Sequence, residues 1–473
     1  MKSMTLLASL AAVSALCLSF ACSSKSDSNG GAGSSNGGSG DDAGASNGGS
    51  GNHAGSGNHA GSGDTGDAGE GPTGSAGDDG AAGSGPVAGS CEALGDGVLL
   101  MGDPNDVAEQ NGPTKASQGI LDTPPIRGEA MAVIGTKLFV ETETELWMSD
   151  LSKATRTLTR IAGKESDDKI NAGVSCADTR FLVVRDMAAT KDGKLVLIDY
   201  VGGAVIEISD PGGANCKSDW VAGTHEMGDN PGADYPLNHG DKDGPGAEAL
   251  FGGDPDVTGV GGGGIHKVAV DDDGNIYTYD EGTKKLKKIA NDADRTVSTI
   301  GQVKSGDDNI LGIAWLGGKL YLSGVDGSND FLQVVDPTKY KVATPTANVT
   351  DVFRNAGQQF PEIKDSGHQA VTSSLFADGD ALIVTGQIQY IWRMSTDGTV
   401  LATLAGSDGQ SGPGRLDFDS DFDPTIPHPA NEWELVASLS SSTGGPWITV
   451  AGGSLYWSGS GLGKNYGLQF TCK

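Results

Sequence analysis

Basic residues are scarce in this chain: 32 Lys and Arg stand against 62 Asp and Glu, for a formal charge of −30. About −24 of that charge falls in residues 91–473. A surface so acidic repels nucleic acid and anionic lipid, so no nucleic-acid partner is expected. Long apolar runs are lacking too. After residue 21 nothing approaches the ~20 residues needed to span a bilayer. Residues 91–473 contain no GxSxG, HExxH or P-loop GKS/GKT sequence, so common nucleophile-elbow, zincin and nucleotide-binding signatures are missing. The glycine-rich GVGGGG (259–264) leads into a β-rich run, so it lacks the helix N-terminus of a phosphate cradle. Cysteine is sparse and scattered, with no CxxC spacing to suggest zinc or redox chemistry.

What is present begins with Lys2 and an uncharged apolar run over 4–21, followed at once by polar sequence. Residues 1–21 therefore read as a signal peptide. Cys22 follows the small Ala21 and precedes SSKSDSNGGAGSSNGG, which resembles the start of a bacterial lipoprotein with lipid on Cys22. Ser19 stands where a lipobox usually has Leu, so ordinary cleavage after Ser-Phe-Ala and secretion is the other reading. Ser23 lacks the Asp typical of inner-membrane retention, which directs the lipidated form to an outer membrane or cell surface. Residues 22–90 are mostly Gly, Ser, Ala, Asn, Asp and Thr. They cannot bury enough apolar surface to offset ordering entropy and are expected to form a disordered linker. Such a coil spans about 45 Å end to end. His53 and His59 belong to a duplicated GNHAGS unit and read as by-products of the repeat.

Residues 91–473 repeat internally. Six segments share a glycine turn and a β-rich run: 135–150, 193–209, 274–290, 318–336, 380–396 and 453–470. A further strand precedes many of these turns, as in HKVAVDDD (266–273) and ILGIAWLG (310–317). Matching ends recur as TRIAG (159–163), DWVAG (219–223), STIGQ (298–302) and ATLAG (402–406). Strand, turn, strand, turn, strand, connection, strand is the blade of a β-propeller. Runs such as KLVLI and DALIV are continuously apolar, as expected when both faces of a strand are buried between blades. Long loops are expected at 224–262, 340–366 and 407–441.

The blocks VAGT…GDKDGPGAEALF…GGIHKVAVDDDGNIYTYDEGTKKLKKIA (221–290) resemble NHL repeats. These pair a Gly-Asp-Gly-Pro-rich loop with a strand, an Asp-x-x-Gly turn and a strand ending in Asp. The GDKDG insertion before Pro245 and Lys285–Lys287, where the family often has Arg, depart from that pattern. The resemblance implies an all-β, six-bladed propeller; seven blades would need one hidden in 407–441. Residues 97–102 (GVLLMG) are expected to give the last blade its outer strand. Four cysteines remain after processing and allow three pairings. A ring brings its termini together, which favours Cys91–Cys472 and leaves Cys176–Cys216.

Propeller sites gather where chain enters the innermost strands. Aligning blades sets Arg185-Asp186 opposite His266-Lys267, with His368 nearby but two or three residues out of register. Such a group could bind an anion or a metal, or supply a general base; polar lining of a solvated channel is the bland alternative. In LDFDSDFDP the alternating Asp417, Asp419, Asp421 and Asp423 have a spacing that can hold Ca²⁺ or another divalent cation. They can equally form a solvated acidic loop, since the Gly and distant Glu of an EF-hand are missing. The functional expectation is an exported, lipid-anchored monomer, held to a membrane through its N-terminal lipid. It would display the propeller as a binding or scaffold module for an extracytoplasmic protein or small molecule. The alternative is a metal-dependent hydrolase or lyase using His266 and His368.

Overall fold

The chain, in a computed structural model, separates into two units, Met1–Ala76 and Gly77–Lys473. The residues described all belong to the second: 90–102, 130–142, 144–153, 156–163, 170–223, 240–253, 264–303, 308–326, 329–354, 372–386, 390–406, 427–430, 435, 447–461 and 464–473. Cys22, His368 and Asp417, Asp419, Asp421 and Asp423 lie outside them.

Six antiparallel sheets follow one another along the chain. Blade 1 runs Ala130–Ile134, Lys137–Glu141, Leu146–Asp150, Thr159–Ala162. Blade 2 runs Val184–Ala189, Leu195–Asp199, Ala204–Ser209, Lys217–Ala222. Blade 3 runs Ile265–Val270, Ile276–Asp280, Lys285–Ile289, Val297–Gln302. Blade 4 runs Asp308–Leu316, Lys319–Asp326, Asn329–Val335, Val349–Arg354. Blade 5 runs Thr372–Asp378, Ala381–Gly386, Ile391–Ser395, Val400–Ala405. Blade 6 takes Trp447–Ala451, Ser454–Gly461 and Lys464–Cys472 from the end of the chain. Its outer strand, Leu94–Gly102, comes from the start of the described residues. The molecule is a six-bladed β-propeller, and no α-helix occurs among the described residues.

Six apolar clusters, one at each junction between neighbouring blades, hold the ring together. The second strand of blade 2 explains its unbroken apolar sequence. Leu195 and Leu197 pack toward blade 1, whereas Val196 and Ile198 pack toward blade 3. Alternate side chains leave opposite faces of a strand, so both sets must be apolar when both faces are covered. The recurring Ala-Gly blade ending also has a steric cause. Gly163 and Gly223 have φ of 84° and 95°, and a Cβ on either would lie 2.3 Å from the carbonyl oxygen of Thr144 or Gly203. Only glycine fits there.

Closure follows the expected route. Leu94 pairs with Cys472 and Gly97 with Phe470, and the Cys91–Cys472 disulfide locks the two ends. The second disulfide is Cys176–Cys216. Two expectations need correction: 340–366 is not all loop, because Val349–Arg354 is the outer strand of blade 4, and 407–441 contains the short strand His428–Pro429, which pairs with Leu94–Gly102 at the edge of blade 6. In Val349–Arg354 only Val349 and Phe353 are buried, Thr350 is exposed and the rest are half-buried, so it lacks the apolar run that marks inner strands.

Blades 2 and 3 carry a docked segment ahead of their innermost strand. In blade 2, Ser175 bridges Lys217, and Cys176–Cys216 pins the segment to the outer strand's approach. In blade 3, Gly244 bridges Val297 of the outer strand, and the pin is ionic. The buried Lys287 Nζ lies 2.8 Å from Asp241, 2.7 Å from Asp243 and 2.9 Å from Thr299 Oγ1. Burial works against its charge, yet the hydrogen bonds it donates to Asp241 and Asp243 hold its pKa above the ordinary lysine value. The two departures from the NHL pattern, GDKDG and Lys285–Lys287, are thus partners in one contact.

Candidate functional site

The innermost strands of all six blades surround a cavity of about 90 Å³ on the ring axis. Blades 2 and 3 each have a bulge where the chain enters this ring, and the extra residues are Arg185 and His266. The alignment of Arg185-Asp186 with His266-Lys267 therefore holds in space, and the structure brings all four residues together.

Counting back from the residues that close the hairpins (Ile134, Thr190, Asp271, Leu316, Asp378 and Ala451), the fifth positions form one layer: Ala130, Asp186, Lys267, Gly312, Ser374 and Trp447. Blades 3 and 6 are opposite in the ring order. Lys267 bridges them, its Nζ 3.8 Å from the centroid of the Trp447 ring. Asp186 faces the same ammonium. It also accepts from its neighbour Met187 N at 2.9 Å and, across the blade junction, from Val268 N at 2.8 Å. Burial pushes its carboxyl up to about 6 against the pull of Lys267 and these two N–H groups. Asp186 thus ties blade 2 to blade 3 through a backbone N–H that the inner sheet edge would otherwise leave unmade.

His266 sits one step nearer the entry rim. It is 4% exposed, hydrogen-bonds the backbone of Ile310 in blade 4, and lies 5.6 Å from the Tyr200 ring. Its Nδ1 has no partner among the described residues. Burial, then the charges of Lys267 and Arg185, hold its pKa well below the usual histidine value, so the imidazole is neutral. Arg185 lies over the same ring, 5.5 Å from the centroid of Tyr200. Tyr200 donates to Glu281 at 3.4 Å.

The strand-ending aspartates are structural clamps. Asp199 accepts from Leu182 N at 2.7 Å, Gly202 N at 2.8 Å and Val183 N at 3.3 Å. Asp280 accepts from Gly252 N at 3.1 Å and Thr283 N at 3.2 Å, and burial pushes it up to about 6. A raised carboxyl pKa stabilises the fold below the unfolded value near 4, and that contribution is lost as pH rises through about 6. Urea titrations should show wild type losing about 3 kcal/mol relative to Asp280→Asn between pH 4 and pH 7. A constant difference between the two proteins would contradict this.

Sequence reasoning missed Trp447 and Tyr200. Trp447 was within reach, because PWITVAGG places it the same distance before its hairpin as Lys267. Tyr200 carried no such signal; it follows a clamp aspartate in an ordinary turn. Among the described residues no group of His, Cys, Asp and Glu is arranged to hold a metal.

No family model matches this sequence, and no curated protein matches it. Solved structures match in fold. Virginiamycin B lyase from Staphylococcus aureus aligns at 12% identity and TM-score 0.38, over 79% of this chain and 98% of its own. A PQQ-bound aldose sugar dehydrogenase from Streptomyces coelicolor aligns at 11% and 0.37, over 73% and 94%. An auxiliary nutrient binding protein from Bacteroides thetaiotaomicron aligns at 9% and 0.43, over 73% and 69%. At these identities and TM-scores the likeness says nothing of chemistry.

Proposed function

We propose that this chain is an exported display module, held to an envelope membrane by lipid on Cys22, with recognition carried by one rim of its propeller. The asymmetry of the two rims carries this reading. Connections from an outermost strand to the next innermost strand all leave and enter on one rim, and they include 103–129, 223–264, 355–371 and 406–446. The hairpins that join first to second strands lie on the other rim and are short, as at Gly317–Gly318 and Gly452–Gly453. Long, dissimilar connections on a rigid ring are where binding residues accumulate. Arg185, Asp186, His266 and Lys267 are engaged by the ring itself, which favours the rim over the channel mouth as the recognising surface. The metal-enzyme alternative rests on His266 with His368, and no observation here favours it. The two disulfides point to an extracytoplasmic location.

Intact-mass analysis of the membrane fraction should find a chain beginning at a lipid-modified Cys22. Cys22→Ala should leave the membrane fraction with its melting temperature unchanged. Equal partitioning of both proteins would contradict the anchor. For recognition, a Gly/Ser replacement of 226–237 should abolish capture of an extracytoplasmic ligand that a replacement of the Gly452–Gly453 hairpin leaves intact.

A further inference from the structure

The two disulfides are nested: Cys91 pairs with Cys472 across 381 residues, and Cys176 pairs with Cys216 inside that loop, across 40. A chain that leaves the cytoplasm N-terminus first presents these cysteines in the order Cys91, Cys176, Cys216, Cys472. Cys91 therefore meets Cys176 before either native partner has emerged. At the pace of synthesis, about 5–20 residues per second, the 40 residues that hold Cys216 back take about 2–8 s. Disulfides form on a scale of seconds upward when an oxidant is present. The bond favoured by this order, Cys91–Cys176, has no place in the closed ring. Cys176 belongs to the apolar cluster between blades 1 and 2, whereas Cys91 belongs to the cluster between blades 5 and 6. The Cys91 N–H is held by Asp378 of blade 5, the blade opposite blade 2 in the ring order. A disulfide needs Cα atoms about 4.4–6.8 Å apart, so the misbridged chain cannot close.

We propose that a thiol–disulfide isomerase is a required partner in the maturation of this protein, with the Cys91–Cys176 form as its substrate. The inference rests on the exported, lipid-anchored reading above, in which the Cys22 sulfur carries lipid and does not compete. The isomerase thiolate attacks Sγ of Cys176, which forms a mixed disulfide and releases Cys91 as a thiolate. The Cys216 thiolate then attacks the same sulfur, forming Cys176–Cys216 and returning the isomerase thiolate, so no electrons are gained or lost. Closing Cys91–Cys472 removes two electrons and two protons from that pair. They pass to a disulfide-bearing oxidase, whose own disulfide becomes two thiols. Self-rescue by Cys216 is too slow to replace the partner, because uncatalysed rearrangement takes minutes to hours. Over that time the open chain leaves the apolar blade faces uncovered and prone to aggregate. Exchange also has to precede closure. In the folded ring Cys91 is wholly buried and Cys176 is 3% exposed, so neither sulfur is open to an attacking thiolate.

The test uses cells that export the full chain, with and without their extracytoplasmic thiol–disulfide isomerase. Samples are quenched with an alkylating agent at intervals, and their disulfides are mapped by proteolysis and mass spectrometry. A Cys91–Cys176 peptide should appear first in both. It should decay within minutes where the isomerase is present. Where the isomerase is absent it should persist, with the yield of Cys91–Cys472 at least threefold lower. The double variant Cys176→Ser, Cys216→Ser removes the wrong partner, so Cys91–Cys472 should then form equally in both cells. Mapping of the unaltered chain decides the matter if that variant does not fold. Native pairs at equal yield in both cells would overturn the proposal and leave export standing. Four free cysteines would overturn export itself, and the proposal with it.

Discussion

Replacing Cys91 and Cys472 with serine should destabilise the propeller by about 6 kcal/mol and lower its melting temperature by roughly 7 °C. The bond joins residues 381 apart in sequence, so reduction releases almost the whole domain as one open loop. On the chain-entropy account, the gain from closing a loop rises with the logarithm of its length. Cys176–Cys216 spans only 40 residues, so its loss should cost about 4 kcal/mol on the same account. The first bond also guards the weakest join in the ring. Leu94–Gly102 is the one outer strand not continuous with its blade, and its neighbours Ala93 and Lys473 exchange backbone hydrogen bonds at 3.3 and 2.8 Å. Cys91 N donates to Asp378 of blade 5 at 2.7 Å, so the clasp holds a second blade as well. Thermal melts of the two double-serine variants, side by side, read the difference. A larger loss from the Cys176–Cys216 pair would contradict the clasp.

Asp199→Ala should cost about 3–4 kcal/mol, near the effect of a lost disulfide although it removes one small side chain. The carboxylate is wholly buried and accepts from three backbone N–H groups on the incoming segment and the following turn. Each buried donor left without a partner costs about 1–3 kcal/mol. Burial raises the carboxyl's pKa and partly offsets what the group contributes, which keeps the estimate at the lower end of that sum. Asp199→Asn retains an acceptor oxygen and should lose less than half as much. Denaturant unfolding of both variants checks the order. Equal losses would show that the hydrogen bonds are not what the position supplies.

The ring was legible in the sequence because its constraints are local and repeated. The second strand of blade 2 is apolar on both faces, Asp199 and Asp280 end the second strands of blades 2 and 3, and the Ala-Gly ending meets a turn that admits no Cβ. The outer strand Val349–Arg354 was missed for the opposite reason: with only Val349 and Phe353 buried, its pattern is diluted to that of a loop. The channel was half legible. Alignment paired Arg185-Asp186 with His266-Lys267, but not the contact of Lys267 with Trp447, which joins residues 180 apart on opposite blades. Nor did residue type disclose that Asp186 accepts a neighbouring blade's N–H. A carboxylate in a channel suggests a ligand until its partners are seen.

The most direct test of the account is disulfide mapping of the native, unreduced protein by proteolysis and mass spectrometry. A closed six-bladed ring matured outside the cytoplasm predicts two cross-linked peptide pairs, Cys91 with Cys472 and Cys176 with Cys216. Free thiols at these positions, or any exchange of partners between the pairs, would contradict it.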